Sequence, residues 1–158
     1  MLVHLWLVRH RFYAHVVWTT HGREPRIDGD LARFLCRFAR SIARQERARI
    51  LEIGMVTTHV HVLVRLHPMT DVVRLVQRLK GSSAAVANRE RRLPPDRALH
   101  WAKGYSLQSV SPRAVPLVRE YLRDQPKRHP NECIPGWVDD APELEPVGDS
   151  EWRGATRG

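Results

Sequence analysis

An α+β fold, with an antiparallel sheet and helices packed on one face, is predicted by three features of this sequence. Short strand-length runs fall at 11–20, 51–57, 59–66 and 105–110, and the stretch 55–66 is rich in β-branched residues. Between them, at 30–47 and 71–91, apolar residues fall at helical spacing. Breakers such as Gly22, Pro25, Pro94 and Pro95 punctuate the boundaries. Alternation of this kind suggests an α+β sandwich of the ferredoxin-like type.

Each element has its own justification. The first strand, 11–20, ends at His21-Gly22 and a turn at Pro25. In the first helix Leu31, Phe34, Leu35, Phe38 and Ile42 follow the 3.6-residue period. Arg33, Arg37, Arg40, Arg44 and Arg47 share that spacing on the opposite side, as one narrow stripe. A charged outer face usually mixes signs, and this one has no interleaved acid at those positions, so solvation and phosphate contact both stand as readings. Residues 51–57 and 59–66 form two strands or one long bent one. The second helix puts Val72, Leu75, Val76 and Leu79 inside, with Arg74, Arg78 and Lys80 near its edge. Pro94-Pro95 opens a loop through Trp101, and 105–110 reads as the last strand. Ser111 is then a plausible N-cap with Pro112 at the first helical position, and Pro126 marks the stop.

Two motifs carry chemistry. His59-Val60-His61 lies in a strand, so both imidazoles project from one face while Val60, Val62 and Val64 face a core. Neighbouring imidazoles on a rigid strand suit a metal ion, although the same pattern is often purely structural. Sixty residues on, Tyr121-Leu122-Arg123-Asp124-Gln125 sets a phenol and a carboxamide at i and i+4 on one helix face. Val115, Val118 and Leu122 give that helix an apolar stripe for docking on the sheet. The pair offers a nucleophile and a neutral oxygen ligand; a half-buried tyrosine beside a solvated glutamine is the plain alternative. Tyr13 and Tyr105 lack a polar partner at i+4 capable of joining the metal, so Tyr121 leads as nucleophile. His4, His10, His15, His21, His67, His100 and His129 show no paired ligand spacing and receive no role.

His-x-His, a long helix and then Tyr-x-x-x-Gln, in that order, resembles the single-tyrosine HUH transposases, small insertion-sequence enzymes whose relatives include the REP-associated tyrosine transposases. The likeness runs from about Tyr13 to Gln125. It extends to His15-Val-Val-Trp-Thr-Thr-His-Gly-Arg-Glu-Pro25, Leu79-Lys-Gly-Ser-Ser83 and Trp101-Ala-Lys-Gly-Tyr105. Thr58 departs from the family, which often has aspartate before the first histidine, and Asp124 stands where asparagine is frequent. The first departure bears on how the metal site is oriented.

The resemblance implies a HUH-type sandwich and a metal-dependent transposase acting on single-stranded DNA. His59, His61 and Gln125 would hold Mg²⁺ or Mn²⁺, and Tyr121 would attack phosphorus to give a 5′-phosphotyrosine and a free 3′ hydroxyl. It implies a homodimer, and hairpin-forming DNA as partner. Whether the tyrosine helix serves its own subunit or the other stays open. Basic grooves and stacking aromatics are the general means of holding single strands, which makes Arg33, Arg37, Arg40, Arg44, Arg47, Arg74, Arg78 and Lys80 candidate contacts. Trp18, Trp101 and Tyr105 are candidate stacking residues or core aromatics. Two other functions compete: a hairpin DNA- or RNA-binding protein without chemistry, and a metallohydrolase using zinc-bound water.

Composition agrees. The chain has 158 residues, length enough for one core, and a formal net charge of +9; three of its 26 basic residues are lysine. That charge steers a protein toward polyanions, although an arginine-favouring genome would give the same composition. No signal peptide is evident, no apolar run approaches the roughly 18 residues of a membrane span, and Cys36 and Cys133 suggest no disulfide framework. A cytoplasmic setting is expected. Residues 1–128 read as the transposase domain and 129–158 as a Pro-rich acidic tail expected to be flexible. Residues 139–158 hold six acidic and two basic residues, so the remainder carries +13. The tail could therefore lie over the basic face and compete with nucleic acid.

Overall fold

The computed structural model describes residues 10–137. Strand β1 (Phe12–Thr19) leads to helix α1 (Gly29–Gln45), the hairpin β2 (Ala48–Val56) and β3 (His59–Leu66), helices α2 (Val72–Gln77) and α3 (Ser83–Arg91), β4 (Ser106–Val110), and helices α4 (Val115–Arg123) and α5 (Gln125–Arg128). The strands form one antiparallel sheet in the order β2-β3-β1-β4. The expected α+β class with an antiparallel sheet is the one observed. None of the helices among the described residues is long and apolar enough to cross a membrane.

Period-2 patterning sorts the sheet's residues between two faces. Ala14, Val16 and Trp18 of β1, Ile50, Ile53 and Met55 of β2, and Val60, Val62 and Val64 of β3 join Leu31, Leu35 and Ile42 of α1 in the main core. Burying each large aliphatic side chain contributes about 1.5–3 kcal/mol. Asp28 starts α1 by accepting a hydrogen bond from the Leu31 amide at 2.8 Å.

The opposite face is covered too, which differs from helices on one face alone. There Leu51 and Leu63 meet Leu122, with Tyr13, Val110, Val115 and Val118 packed around them. The apolar stripe of α4 needs a partner, and β3, buried on both sides, supplies it. The buried carboxylate of Glu52 accepts from Arg119 Nε and Arg123 Nε, each at 3.2 Å, which ties α4 to β2. Gly54 lets the two elements approach: a β-carbon there would overlap the Leu122 carbonyl and stand 3.0 Å from Gln125 Cγ.

Several boundaries depart from expectation. The hairpin resolves residues 51–66 into two strands joined at Thr57-Thr58. The single helix expected over 71–91 is interrupted by a π turn, Arg78–Ser82, in which Ser83 Oγ donates to the Lys80 carbonyl at 2.8 Å. A short 3-10 turn, Pro112–Ala114, precedes α4, so Ser111 precedes that turn, without a side-chain capping bond, and not α4 itself. Pro126 does not end the helical region. It sits in the first turn of α5, and the break falls two residues earlier at Asp124. Without an amide hydrogen, Pro126 leaves the Leu122 carbonyl no i+4 donor, so α4 stops there.

The segment expected to begin a flexible tail starts docked. Ile134 is buried in the main core, Trp137 packs against it, and the Glu132 carbonyl accepts from the Thr57 amide at 2.9 Å. The acidic stretch 139–158 lies outside the described residues.

Candidate active site

β3 presents His59 and His61 on the face that carries α4. Both are nearly buried, at 5% and 6% exposure, and their ring centroids stand 5.1 Å apart. In register, Val17 and Gly54 flank His61, while Thr19 and Val56 flank His59. Because Gly54 lies beside His61, the end of α4 settles directly over the histidine pair. Tyr121 and Gln125 arrive from the same chain. The Tyr121 ring lies 5.6 Å from that of His61 and keeps 36% exposure, open to an incoming strand. Gln125 is fully buried. The two are not one above the other on a continuous helix, since Gln125 opens α5; its Nε2 donates back to the Tyr121 carbonyl at 3.2 Å.

That bond settles which way the carboxamide points. With Nε2 committed to Tyr121, the oxygen Oε1 faces His59 Nε2 at 3.4 Å. The separation is long for a hydrogen bond. It lies in the range of about 3.0–3.5 Å that two ligands of one cation keep when each bond is near 2.1 Å. The imidazoles are held neutral, as ligation requires. Burial first, then the imidazoles of His59, His15 and His129, bring His61 down to about 3. Burial also lowers His59 and His15. The residues present therefore fit a divalent cation taking two imidazole nitrogens and an amide oxygen. Among the described residues no group of three or more histidine, cysteine, aspartate or glutamate side chains is gathered for a metal. A third protein atom must come from Gln125.

Residues given no role from sequence also stand here. His15 Nε2 lies 2.9 Å from His61 Nδ1, with the rings stacked at 5.1 Å, so His61 has Nε2 left for a ligand. His129 sets its ring edge-on to His59 at 4.9 Å. The Arg128 guanidinium stands 4.6 Å from the Tyr121 ring centroid and brings a cation to the phenol. The signal for His15 was its place on β1, diagonal to His61. Reading it required the register, which pairs His15 with Leu63.

The candidate phosphate contacts are elsewhere. The α1 stripe lies beyond the main core, on the far side of the sheet from the histidines. Arg33, Arg37, Arg44 and Arg47 are exposed there, with Arg33 paired to Asp30, and Arg40 is half-buried. Arg74 and Arg78 both reach Glu46, at 3.1 and 2.7 Å, joining α2 to the end of α1. Lys80 Nζ donates to the carbonyls of Ala102 and Gly104, so it shapes the loop before β4. Trp18 is buried in the core and meets the half-buried Trp101 edge-on at 5.9 Å, whereas Tyr105 is 41% exposed.

The site is thus a helix-borne tyrosine laid over a histidine pair on a four-stranded antiparallel sheet. The chain belongs to the family described as "Transposase IS200 like", whose model matches residues 8–125. It is similar to the ISDra2 transposase TnpA of Deinococcus radiodurans, 25% identical over 114 residues that span 70% of this chain and 81% of that protein. A crystal structure of a Deinococcus radiodurans R1 protein assigned as a transposase superposes with a TM-score of 0.58 at 23% identity, covering 75% of this chain and 93% of that one. A REP-associated tyrosine transposase bound to a REP hairpin superposes with a TM-score of 0.55 at 14% identity, covering 84% of this chain and 73% of that one.

Proposed function

We propose that this chain cleaves and rejoins single-stranded DNA through a 5′-phosphotyrosine on Tyr121, with Mg²⁺ or Mn²⁺ held by His59, His61 and Gln125. The observation that carries the reading is the meeting of Tyr121, the histidine pair and the buried Gln125 within one chain of an IS200-like transposase. When bound, the cation would neutralise charge on the scissile phosphate as the transition state forms. Everything else falls to the protein. Docking α4 on the sheet fixes the phenol before DNA arrives, and such positioning lowers a barrier by several kcal/mol. The Tyr121 oxygen forms a bond to phosphorus as the bond to the 3′ oxygen breaks. The phenol releases its proton and the 3′ oxygen takes one up. One phosphodiester is thus exchanged for another, and a second 3′ hydroxyl can reverse the step without an added energy source. Arg128, beside the phenol, is suited to an approaching phosphate.

Hairpin-forming single-stranded DNA in the cytoplasm is the proposed substrate, supported by the REP hairpin in the solved relative. A homodimer is proposed as the working state. Its support is β4, an edge strand with Leu107 41% exposed, whose outer side can take a second strand. Tyr121 lies against the histidines of its own chain, which favours catalysis within one subunit. Residues 1–128 would then carry the chemistry, with 129–137 bracing it.

The test is a covalent-adduct assay. Wild type and Tyr121→Phe are mixed with labelled hairpin DNA from the gene's flanks, with Mn²⁺ or with EDTA, and run on a denaturing gel. A labelled protein band for wild type with Mn²⁺ alone is expected. Tight, metal-independent hairpin binding without a band would instead identify a binding protein that has lost its chemistry.

A further inference from the structure

His59 is followed on its other edge by a hydroxyl and a carboxylate. Thr58 Oγ1 donates to Glu132 Oε1 at 2.9 Å and lies 2.9 Å from His59 Nδ1. A hydroxyl has a single hydrogen, and an ionised carboxylate can only accept. With that hydrogen given to Glu132, Thr58 can meet Nδ1 only as an acceptor. Nδ1 then carries the imidazole proton and Nε2 is bare. Nε2 is also the atom that faces Gln125 Oε1 at 3.4 Å, so two acceptors confront each other across the space where a cation would satisfy both.

We propose that Glu132, acting through the Thr58 hydroxyl, is a positioning residue that locks His59 as its Nδ1–H tautomer and presents an unprotonated Nε2 to the cation. The proposal rests on the reading of His59 as a metal ligand.

The local backbone is built to hold this relay still. Thr57 and Thr58 form the turn between β2 and β3, and neither has the positive φ of the turns that hairpins favour. Bonds from outside the hairpin hold the turn instead. The Thr58 carbonyl accepts from the Thr20 amide at 2.8 Å, and the Thr57 carbonyl accepts from the Ile27 amide at 3.1 Å. The Thr57 amide donates to the Glu132 carbonyl at 2.9 Å. Thr58 is 3% exposed, so no bulk water competes for its hydroxyl. Glu132 thus braces the turn with its backbone and reaches His59 with its side chain, and the two roles are separable by mutation. Its second oxygen, Oε2, lies 3.4 Å from His129 Nδ1, which leaves Oε1 to Thr58.

The experiment has two readouts. The first is the tautomer of His59 in metal-free, histidine-¹⁵N-labelled protein, from two-bond proton–nitrogen correlations. The second is Mn²⁺ affinity by calorimetric titration. Wild type is expected to show Nδ1–H at His59. Thr58→Val and Glu132→Gln are each expected to weaken Mn²⁺ binding about 10–100-fold, the range for losing an outer partner of a ligating histidine. Adding Thr58→Asp to Glu132→Gln puts an acceptor directly on Nδ1 and is expected to recover most of that loss, which a merely structural role for Glu132 would not allow. An Nε2–H tautomer in wild type overturns the proposal, whatever the variants do. So does unchanged affinity in both single variants. Wild type that shows Nδ1–H, changed by Thr58→Val, but binds no Mn²⁺ would sustain the lock and sink the metal reading instead.

Discussion

The imidazoles at the site work only while neutral, and each is kept so by where it is buried. His61 stays neutral in the fold down to about 3, against 6.5 for the free side chain. As pH falls through 6.5 the unfolded chain therefore binds a proton that the folded chain refuses. In EDTA, stability should be full above pH 6.5 and decline below it. His61 by itself accounts for about 2 kcal/mol lost between pH 6.5 and 5, and the lowered His59 and His15 act in the same direction. Urea denaturation at pH 7.5 and pH 5 checks this; an equal or higher midpoint at pH 5 would contradict it. His15 has a second consequence, because its contact with His61 Nδ1 holds that ring in place. His15→Leu is expected to weaken Mn²⁺ binding about tenfold while the fold persists, as read by titration beside circular dichroism. The histidine motif was legible from its spacing alone. His15, Glu132 and Arg128 were not, since each reaches the site from a distant part of the sequence.

Among the elements, α4 decides whether the site exists. Its backbone rests on Gly54, and its Arg119 and Arg123 grip Glu52. Gly54→Val should lift α4 from the sheet and take Tyr121 and Gln125 away from the histidines. A loss of about 2–3 kcal/mol in stability is expected, together with loss of the covalent adduct. Wild-type adduct yield from Gly54→Val would show that α4 is held by other means. The glycine is visible in the sequence as an oddity within a β-rich run, but its reason is the Leu122 carbonyl, which only packing brings there. Helix α1 makes a different case. Arg33, Arg37, Arg40 and Arg44 do form one stripe on it, while Arg47 lies past the helix end with a positive φ, and the stripe faces away from the catalytic side. If it holds DNA, it holds a part remote from the scissile phosphate. Arg37→Ala with Arg44→Ala should then lower the salt slope of hairpin binding by about 0.7–0.9 for each phosphate no longer neutralised, with adduct yield at saturating DNA unchanged. An unchanged slope would make the stripe a solvated face.

For the whole molecule, the exposed β4 edge and the charge distribution matter most. Sedimentation is expected to show a dimer for wild type and a monomer for Leu107→Lys, since a charge on that edge opposes strand pairing. A monomeric wild type would leave β4 a simple edge. Residues 139–158 are net acidic while the rest of the chain carries +13. A chain ending at Val138 keeps the docked Ile134 and Trp137, and is expected to bind hairpin DNA more tightly at low salt. Equal affinity would remove the tail from any competition with DNA.

By itself the sequence determined the α+β class, the strand that carries His59 and His61, and the candidate tyrosine. These rest on periodicities of 2 and 3.6, which are local and survive without knowledge of the fold. Tertiary structure alone decided that α4 crosses to the second face, that Pro126 sits in the first turn of α5 and does not end the helical region, and that Glu132 reaches His59 through Thr58. Those outcomes turn on which carbonyl finds a donor and which surface needs cover, and both depend on residues far apart in the chain.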